Sequence, residues 1–550
     1  MENVWTKPPY DEATQNEVRC LMREDPAAFQ DAFYRTLEFG TGGLRGLLGV
    51  GTNRMNEYVV AMATQGFANY LATLVNTLGL KKQVVISYDS RNKSKEFALE
   101  TALVFAGNGF KAFLFPEMRP TPVLSFAVRH LNCCGGVMIT ASHNPKEYNG
   151  YKAYGDDGGQ LVAPHDKNVM DEVAKIASIE QVVKISEKEA LEKGLLEYVL
   201  VDEPYLAQVK TLQTTASQKS MSIVYTPLHG TGGTIVPTAL KQWGFENVHC
   251  VEEQMIPDGN FSTVASPNPE EKATMQMSID LARAVKADLV LATDPDADRV
   301  GIAIPDGKGE YILLNGNQTG SVFIYYLLNR RKLIGNEFVV KTIVTTELIK
   351  DIAEKSGVEC YDVLTGFKYI AEKIRLLEGE KTFIGGGEES YGYLAGDFVR
   401  DKDAVIACCL IAEMAADAAQ RGDSFMDILR RLYEQHGFYK EGLRSVTKKR
   451  MDGLQEIKDI MARLRKNPPV ELGGEKVVEV RDYLKGVGDL PASDVLQFFT
   501  ENGSKVTVRP SGTEPKIKFY IGVKAPYRND LSFAEQEALL DEKLGQITVE

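Results

Sequence analysis

Val84-Val-Ile-Ser-Tyr-Asp-Ser-Arg91 is a short run rich in aliphatic residues; an amphipathic stretch follows it, then Gly109-Phe-Lys-Ala-Phe-Leu-Phe115. The same order recurs twice. Ser222-Ile-Val-Tyr-Thr-Pro-Leu-His229 leads through a glycine-rich turn and a helical stretch to Gly244-Phe-Glu-Asn-Val-His-Cys-Val251. Phe338-Val-Val-Lys-Thr-Ile-Val-Thr-Thr346 leads through another helical stretch to Gly357-Val-Glu-Cys-Tyr-Asp-Val363. Each copy reads as strand, loop, helix, glycine, strand. That is a βαβ unit, and short Val/Ile runs suit strands buried on both faces. The copies lie too far apart for a solenoid, so three similar α/β domains in series are expected.

The remainder of the chain differs. A charged helical stretch, Met451–Lys466, ends at Asn467-Pro-Pro. Strand-like segments follow at Lys476–Arg481, Val495–Phe499, Lys505–Val508 and Lys516–Val523, and a last helix begins near Ser532. Asn502-Gly503 is the favoured pair for a tight hairpin. This reads as a smaller α+β domain with an antiparallel sheet. The expected divisions are 1–205, 206–315, 316–440 and 441–550.

Composition narrows the function. The 550 residues are 44% hydrophobic and 25% charged, with a net charge of −13. An acidic chain is a poor general binder of nucleic acid or anionic membrane, so positive charge for an anionic ligand must be local. The longest purely apolar run, Ala404–Ala412, falls far short of the ~20 residues that span a bilayer. The start of the chain lacks signal-peptide character. Seven scattered cysteines without a C-x-x-C fit buried thiols in a reducing compartment. A multidomain, soluble, cytoplasmic protein is expected.

Several loops carry chemistry. Asp294-Pro-Asp-Ala-Asp-Arg299 follows the apolar run Asp288–Thr293. Carboxylates at i, i+2 and i+4 leaving a strand can converge on one hard divalent cation. Arg299 and Pro305 stand where an EF-hand needs glycine and glutamate, so the expected ion is Mg²⁺, not a calcium-hand Ca²⁺. In Thr140-Ala-Ser-His-Asn-Pro145, Ser142 lies where a strand ends in a turn. It can act as a nucleophile or carry a phosphate, though the nucleophile elbow of hydrolases is missing. His143 is adjacent in sequence, with no requirement that its ring reach the Ser142 hydroxyl.

Glycine-rich loops occur at Gly40–Gly46 and Gly230–Gly233, and neither matches Walker A or the dinucleotide fingerprint. Arg45 in the first is a candidate anion contact; the second suits tight strand-to-helix packing. Arg509-Pro-Ser-Gly-Thr-Glu-Pro515 offers a guanidinium, two hydroxyls and backbone N–H groups, a natural phosphate cradle. In Gly385-Gly-Gly-Glu-Glu-Ser-Tyr-Gly392, small residues admit a ligand to the backbone, and the acids and serine can meet sugar hydroxyls.

In this order the loops resemble those of the α-D-phosphohexomutase family, the phosphoglucomutases and phosphomannomutases, nearest its glucose-preferring bacterial branch. Ser142 falls in T-A-S-H-N-P, Asp294, Asp296 and Asp298 in D-x-D-x-D-R, Glu388 and Ser390 in G-E-x-S, and Arg509, Ser511, Gly512 and Thr513 in R-x-S-G-T. The resemblance implies three α/β/α domains plus a smaller fourth in the heart-shaped mutase architecture. It also implies an isomerase whose Ser142 carries phosphate and, with the three aspartates, binds Mg²⁺. The phosphate passes to a sugar monophosphate, and the resulting 1,6-bisphosphate turns over in the cleft. His143 and Lys152 match acid/base positions, and Lys152 could serve if a cation-rich cleft lowers its pKa. Arg299 would neutralise charge on the transferring group. Arg400-Asp-Lys-Asp403 nominates Lys402 as a phosphate contact. Thr365-Gly-Phe-Lys368 resembles the loop of glucose-preferring members and adds Thr365, Gly366 and Lys368. Glucose 1-phosphate and glucose 6-phosphate are therefore the expected substrates, with glucose 1,6-bisphosphate as intermediate and activator. Mannose and pentose phosphates are the alternatives, since Lys146–Lys152 also resembles a phosphopentomutase branch. For the C-terminal cradle to reach the metal loop, the last domain is expected to close by a hinge near residue 440.

Two readings from other classes compete. Asp296-Ala-Asp-Arg-Val300 fits the D-x-D-x-T/V pattern of haloacid-dehalogenase phosphatases, which would leave Ser142 and the cradle idle. A non-catalytic sugar-phosphate regulator would predict a damaged nucleophile or metal loop, and both are intact. A small-molecule sugar phosphate is the expected partner, without nucleic acid or membrane; monomer and homodimer both fit.

Overall fold

The computed structural model describes residues 4–40, 43–215, 220–448, 453–511 and 516–548. The chain forms two compact units. The first holds Met1–Leu314, Gly366–Glu378 and Tyr391–Ala416; the second holds Asn315–Thr365, Gly379–Ser390 and Asp417–Glu550.

The first unit contains two mixed sheets. One has seven strands: β1 (Phe39–Gly40), β2 (Gly43–Leu47), β3 (Gln83–Tyr88), β4 (Lys111–Leu114), β5 (Gly135–Ile139), β6 (Tyr148–Gly155) and β7 (Leu196–Tyr198), in the order β1-β2-β6-β5-β3-β4-β7. Strands β5, β3, β4 and β7 are mutually parallel, and β6, β2 and β1 extend the sheet antiparallel. The second sheet has β8 (Ile223–Thr226), β9 (Val248–Cys250), β10 (Leu289–Thr293), β11 (Val300–Pro305) and β12 (Tyr311–Leu314), in the order β12-β11-β10-β8-β9. Here β10, β8 and β9 are parallel. Strands β3, β5 and β10 are almost wholly buried, as helices on both faces require.

The two repeats in this unit are realised as strand, helix and parallel strand: β3, helix Ser94–Gly107, β4; and β8, helix Val236–Gln242, β9. The third lies in the second unit as β13 (Glu337–Thr342), helix Leu348–Lys355 and β14 (Glu359–Val363), with β15 (Thr382–Gly387) parallel on the other side of β13. Strand β16 (Tyr393–Ala395) returns to the first unit, as does the start of helix Ala404–Gln420. That helix carries the apolar run Ala404–Ala412, every residue of it buried. No helix among the described residues is long and apolar enough to cross a membrane.

The last sheet is antiparallel: β17 (Phe438–Thr447), β18 (Glu471–Leu472), β19 (Glu475–Asp482), β20 (Leu496–Thr500), β21 (Lys505–Pro510) and β22 (Lys516–Ala525), ordered β17-β22-β21-β20-β19-β18. Helix Gly453–Lys466 and helix Phe533–Gln546 accompany it. Ser532 caps the second helix by accepting from the Glu535 amide, with Glu535 closing a capping box. Strand β17 runs unbroken through residue 440 and pairs along its whole length with β22.

Candidate active site

Catalytic groups in open α/β sheets gather at the carboxyl ends of strands. Ser142 follows β5, and Asp294 follows β10. The Ser142 hydroxyl donates to Asp294 Oδ2 at 2.7 Å and lies 3.2 Å from His143 Nδ1. Asp294, Asp296 and Asp298 are all buried, and each offers an oxygen within 4.8 Å of the others.

The aspartate loop is held from three sides. The Asp298 and Arg299 amides donate to Asp294 Oδ1 at 3.2 and 3.1 Å. Thr121, opening helix Thr121–His130, donates its hydroxyl to Asp296 Oδ2 at 3.0 Å and its amide to the Asp296 carbonyl at 2.9 Å. Thr231 donates its amide to the Pro295 carbonyl at 2.8 Å and its hydroxyl to the same oxygen at 2.9 Å. A Cβ on neighbouring Gly230 would stand 2.4 Å from Pro295 Cα. The second glycine loop thus packs against the aspartate loop as well as linking strand to helix.

Cations complete the cluster. Lys152, on β6, places Nζ 2.8 Å from Asp296 Oδ2 and 3.3 Å from Asp298 Oδ2. Lys402 Nζ is 3.1 Å from Asp298 Oδ2 and 3.2 Å from Asp401 Oδ1. Arg299 Nε is 3.7 Å from Asp298 Oδ1, and its Nη1 meets Glu270 at 3.0 Å. Burial and the two neighbouring carboxylates push Asp294 well above the usual carboxylate range. Burial pushes Asp296 and Asp298 the same way, but Lys152 and Lys402 outweigh it and hold both below that range. Burial lowers Lys152, yet Asp296 and Asp298 raise it further, so its ammonium is kept charged. The condition under which Lys152 could serve as acid/base, a lowered pKa, is not met here, because its neighbours are carboxylates. His143 is driven well below its usual value by burial, then by Arg299 and Arg45.

The donor set fits a hard divalent ion. The three carboxylates supply oxygens alone, and Asp296 Oδ1 and Asp298 Oδ1 are buried without a hydrogen bond. Such oxygens suit Mg²⁺.

The remaining nominated residues separate by unit. Arg45, on β2, donates to Asn144 Oδ1 at 3.1 Å, beside His143. Lys368 lies in the first turn of helix Phe367–Leu376 and meets Asp166 Oδ2 at 3.1 Å; Gly366, with φ of +121°, precedes that helix. All of these belong to the first unit, with Ser142 and the trio.

Thr365, Glu388, Ser390, Arg509 and Ser511 belong to the second unit. Thr365 Oγ1 is buried without a hydrogen bond. Glu388 and Ser390 leave the end of β15, and Glu388 is buried. Glu389 accepts from the Thr345 and Thr342 hydroxyls at 3.2 and 3.4 Å. Arg509 is the penultimate residue of β21, and the Ser511 amide donates to the Lys516 carbonyl at 2.7 Å. Tyr520, on β22, joins the two segments: burial pushes its hydroxyl up to about 12, Glu389 and Glu388 adding to the rise and Arg509 opposing it. In the glycine run, a Cβ on Gly386 would lie 2.4 Å from the Val340 carbonyl. That glycine serves the approach of β15 to β13. Gly512 and Thr513 lie outside the described residues, as do Thr41 and Gly42 of the first glycine loop.

Sequence reasoning passed over Thr121, Thr231, Glu270 and Asp401, which reach the cluster from distant segments. Their signal is positional: Thr121 opens a helix and Thr231 follows a strand end.

Four family models match along the chain, described as phosphoglucomutase/phosphomannomutase alpha/beta/alpha domain I at residues 36–180, domain II at 203–307, domain III at 315–436 and C-terminal domain at 447–540. The phosphoglucomutase of Staphylococcus aureus (strain bovine RF122 / ET3-1) is 38% identical over 515 residues, 92% of each chain. That of Staphylococcus epidermidis (strain ATCC 35984 / DSM 28319 / BCRC 17069 / CCUG 31568 / BM 3577 / RP62A) is 39% identical over 511 residues, 90% of this chain and 92% of the other. Among solved structures, the open form of the exocytosis-sensitive phosphoprotein pp63/parafusin, a phosphoglucomutase from Paramecium, matches with a TM-score of 0.71. It is 18% identical, over 93% of this chain and 95% of that one, a likeness of fold. With family models spanning all four sections and relatives this similar over nearly its whole length, the chain belongs to the phosphoglucomutase/phosphomannomutase family.

Proposed function

We propose that the protein is a phosphoglucomutase, an isomerase interconverting α-D-glucose 1-phosphate and glucose 6-phosphate by way of a phosphoserine at Ser142. The observation that carries this reading is the Ser142 hydroxyl, hydrogen-bonded to Asp294 within a buried trio of aspartates. The staphylococcal relatives named phosphoglucomutase support the choice of reaction.

In the forward direction the phosphoryl group leaves Ser142 Oγ and bonds to the sugar 6-hydroxyl. The P–Oγ bond breaks, the hydroxyl proton goes to a base, and glucose 1,6-bisphosphate results. After reorientation, the 1-phosphoryl group bonds to Ser142 Oγ as its bond to the sugar O1 breaks, the protonated base returns its proton to O1, and glucose 6-phosphate departs. His143, kept neutral, is the candidate proton acceptor; Lys152, kept charged, stabilises negative charge. Asp294, Asp296 and Asp298, with Ser142, would hold Mg²⁺, which when bound neutralises charge on the transferring phosphate. Arg299 and Lys402 bring further positive charge to the same end. Glu388 and Ser390 are assigned to sugar hydroxyls, and Arg509, Ser511, Gly512 and Thr513 to the phosphate that is not reacting. All seven cysteines are free, in keeping with a cytoplasmic enzyme.

Peptide mass spectrometry should find phosphate on Ser142, and Ser142→Ala should lose at least ~two orders of magnitude in turnover, as removal of a covalent carrier does. Turnover on glucose, mannose and ribose 1-phosphates should rank glucose first. Near wild-type activity of Ser142→Ala would sink the phosphoserine, and a higher kcat/KM for mannose or ribose phosphate would sink the substrate.

A further inference from the structure

We propose that Arg91 is the positioning residue of the Ser142 loop. The proposal rests on reading Ser142 as the phosphate carrier, a role that demands a fixed direction for its hydroxyl. Arg91 follows β3 in the same sheet, and its side chain is fully buried. Its terminal nitrogens donate to four backbone carbonyls of one turn. Nη2 reaches the Ser142 carbonyl at 2.6 Å and that of Asn144; Nη1 reaches Pro145 at 2.9 Å and Tyr148 at 3.1 Å. Nε lies 3.2 Å from Asp89 Oδ2. Asp89 in turn accepts from Thr140 Oγ1 and Ser94 Oγ, both at 2.7 Å. Thr140 Oγ1 then accepts the Ser142 amide at 2.8 Å. Both the amide and the carbonyl of Ser142 are thus fixed by one Asp89–Arg91 unit, and the guanidinium lies 5.0 Å over the Phe261 ring.

The turn needs this support. Ser142 has a φ of +52°, the left-handed region that strains a non-glycine residue. A planar fork with five donors can collect several converging carbonyls, whereas an ammonium is a single point. Held this way, the loop directs Ser142 Oγ onto Asp294. Arg91 does not touch Oγ, so it acts through the loop. A reacting atom misplaced by about 1 Å can cost ~100-fold in rate.

The test uses Arg91→Lys, Arg91→Ala and, as reference, Ser142→Ala in the full-length enzyme, with folding followed by circular dichroism and thermal unfolding. Arg91→Lys keeps a cation beside Asp89, and should lose ~10-fold in kcat with KM for glucose 1-phosphate within about threefold. Arg91→Ala should lose ~100-fold, and millimolar guanidinium chloride should restore at least ~10-fold of that by refilling the fork. If Arg91→Ala does not fold, the split in Arg91→Lys decides. Wild-type kcat in Arg91→Lys with an inactive Ser142→Ala would overturn the positioning role alone. A loss in Arg91→Lys that falls wholly on KM would overturn it too, as would a folded Arg91→Ala that guanidinium does not rescue. An active Ser142→Ala would remove the phosphoserine reading and this proposal with it.

Discussion

At the first unit's site three buried carboxylates meet Lys152, Lys402 and Arg299, whereas the second unit offers Arg509 and Glu388 from the ends of strands β21 and β15. The first is a charge cluster whose carboxylates are compensated by Lys152 and Lys402 from two distant segments and by Arg299 from their own loop. The second is a pair of sheet-borne loops whose acids and guanidinium share the environment of one tyrosine, Tyr520. On the proposed function, the difference separates two tasks. Chemistry on a transferring phosphate needs electrostatics in place before the reaction. Recognition of a substrate that presents either end needs donors that tolerate both.

The largest effect should come from disturbing the compensated cluster. Asp296→Asn removes a carboxylate that meets both Lys152 and Thr121. Turnover should fall by about three orders of magnitude, roughly 4 kcal/mol, the upper range for one preorganised electrostatic contact. Mg²⁺ affinity, followed by titration calorimetry, should weaken with it. Full activity after chelation without added metal would contradict the trio's role.

Arg509→Ala probes the other region. It should cost about 3 kcal/mol in kcat/KM, as loss of a charged partner of a buried anion does, in both reaction directions. The variant should depend more on added glucose 1,6-bisphosphate, while Mg²⁺ affinity stays at the wild-type value. An unchanged kcat/KM in either direction would remove Arg509 from substrate binding, and a changed metal affinity would erase the division of tasks.

A third substitution asks whether the last sheet moves apart from β13. Lys505, buried on β21, donates to the Ile343 and Thr345 carbonyls at 2.9 Å each and to Glu347 at 2.5 Å. Lys341 meets the same Glu347 oxygen at 2.9 Å, and Gln497 on β20 donates to Ile343 at 2.8 Å. This buried tie spans the expected hinge near residue 440. Lys505→Met should lower the stability of the second unit by about 2 kcal/mol, less than a wholly orphaned charge because Lys341 remains. Hydrogen exchange of β13 and β21 peptides should rise together. Exchange confined to β21 would mean that the tie does not couple the two sheets.

These residues also mark what could be read beforehand. The three βαβ repeats were legible because their strands are continuous Val/Ile runs with glycine before the return strand. Ser142 and Asp294 were legible because each stands just after such a strand. Strand β6 was not, since Tyr148-Asn-Gly-Tyr-Lys-Ala-Tyr-Gly155 has no aliphatic alternation and owes its burial to β5 and β2. Lys152 therefore sits on a strand within the sheet. Its partners come from residues 294–298, and no local pattern announces that an ammonium there will be held charged. Strand β17 was likewise hidden by its polar face, and the boundary expected near residue 440 came from the spacing of the repeats alone.

The smallest expected effect is a pair of opposite pH slopes. Asp403, buried in the first unit, accepts from the Tyr205 hydroxyl at 2.9 and 2.8 Å and from the Ile406 amide at 2.8 Å. Burial pushes its carboxyl up to about 7. Between the ordinary value and about 7, the folded state keeps a proton that the unfolded state has lost. Stability should therefore fall as pH rises through that window, by at most ~1.4 kcal/mol per pH unit. Glu347 in the second unit behaves oppositely. Burial pushes it up, but Lys341 and Lys505 outweigh this and hold it well below its ordinary value of 4.5. Its contribution is present above that value and is lost as pH falls below it. Opening free energies from hydrogen exchange, corrected for intrinsic rates, should thus decline for peptides around Tyr205 and Ala404–Ala412 from pH 4.5 to 7. For peptides of β13 and β21 they should decline below pH 4.5. Asp403→Asn should flatten the first slope and Glu347→Gln the second. A first slope that survives Asp403→Asn, or a second that survives Glu347→Gln, would show that the charge compensation of the two regions does not differ in the way argued.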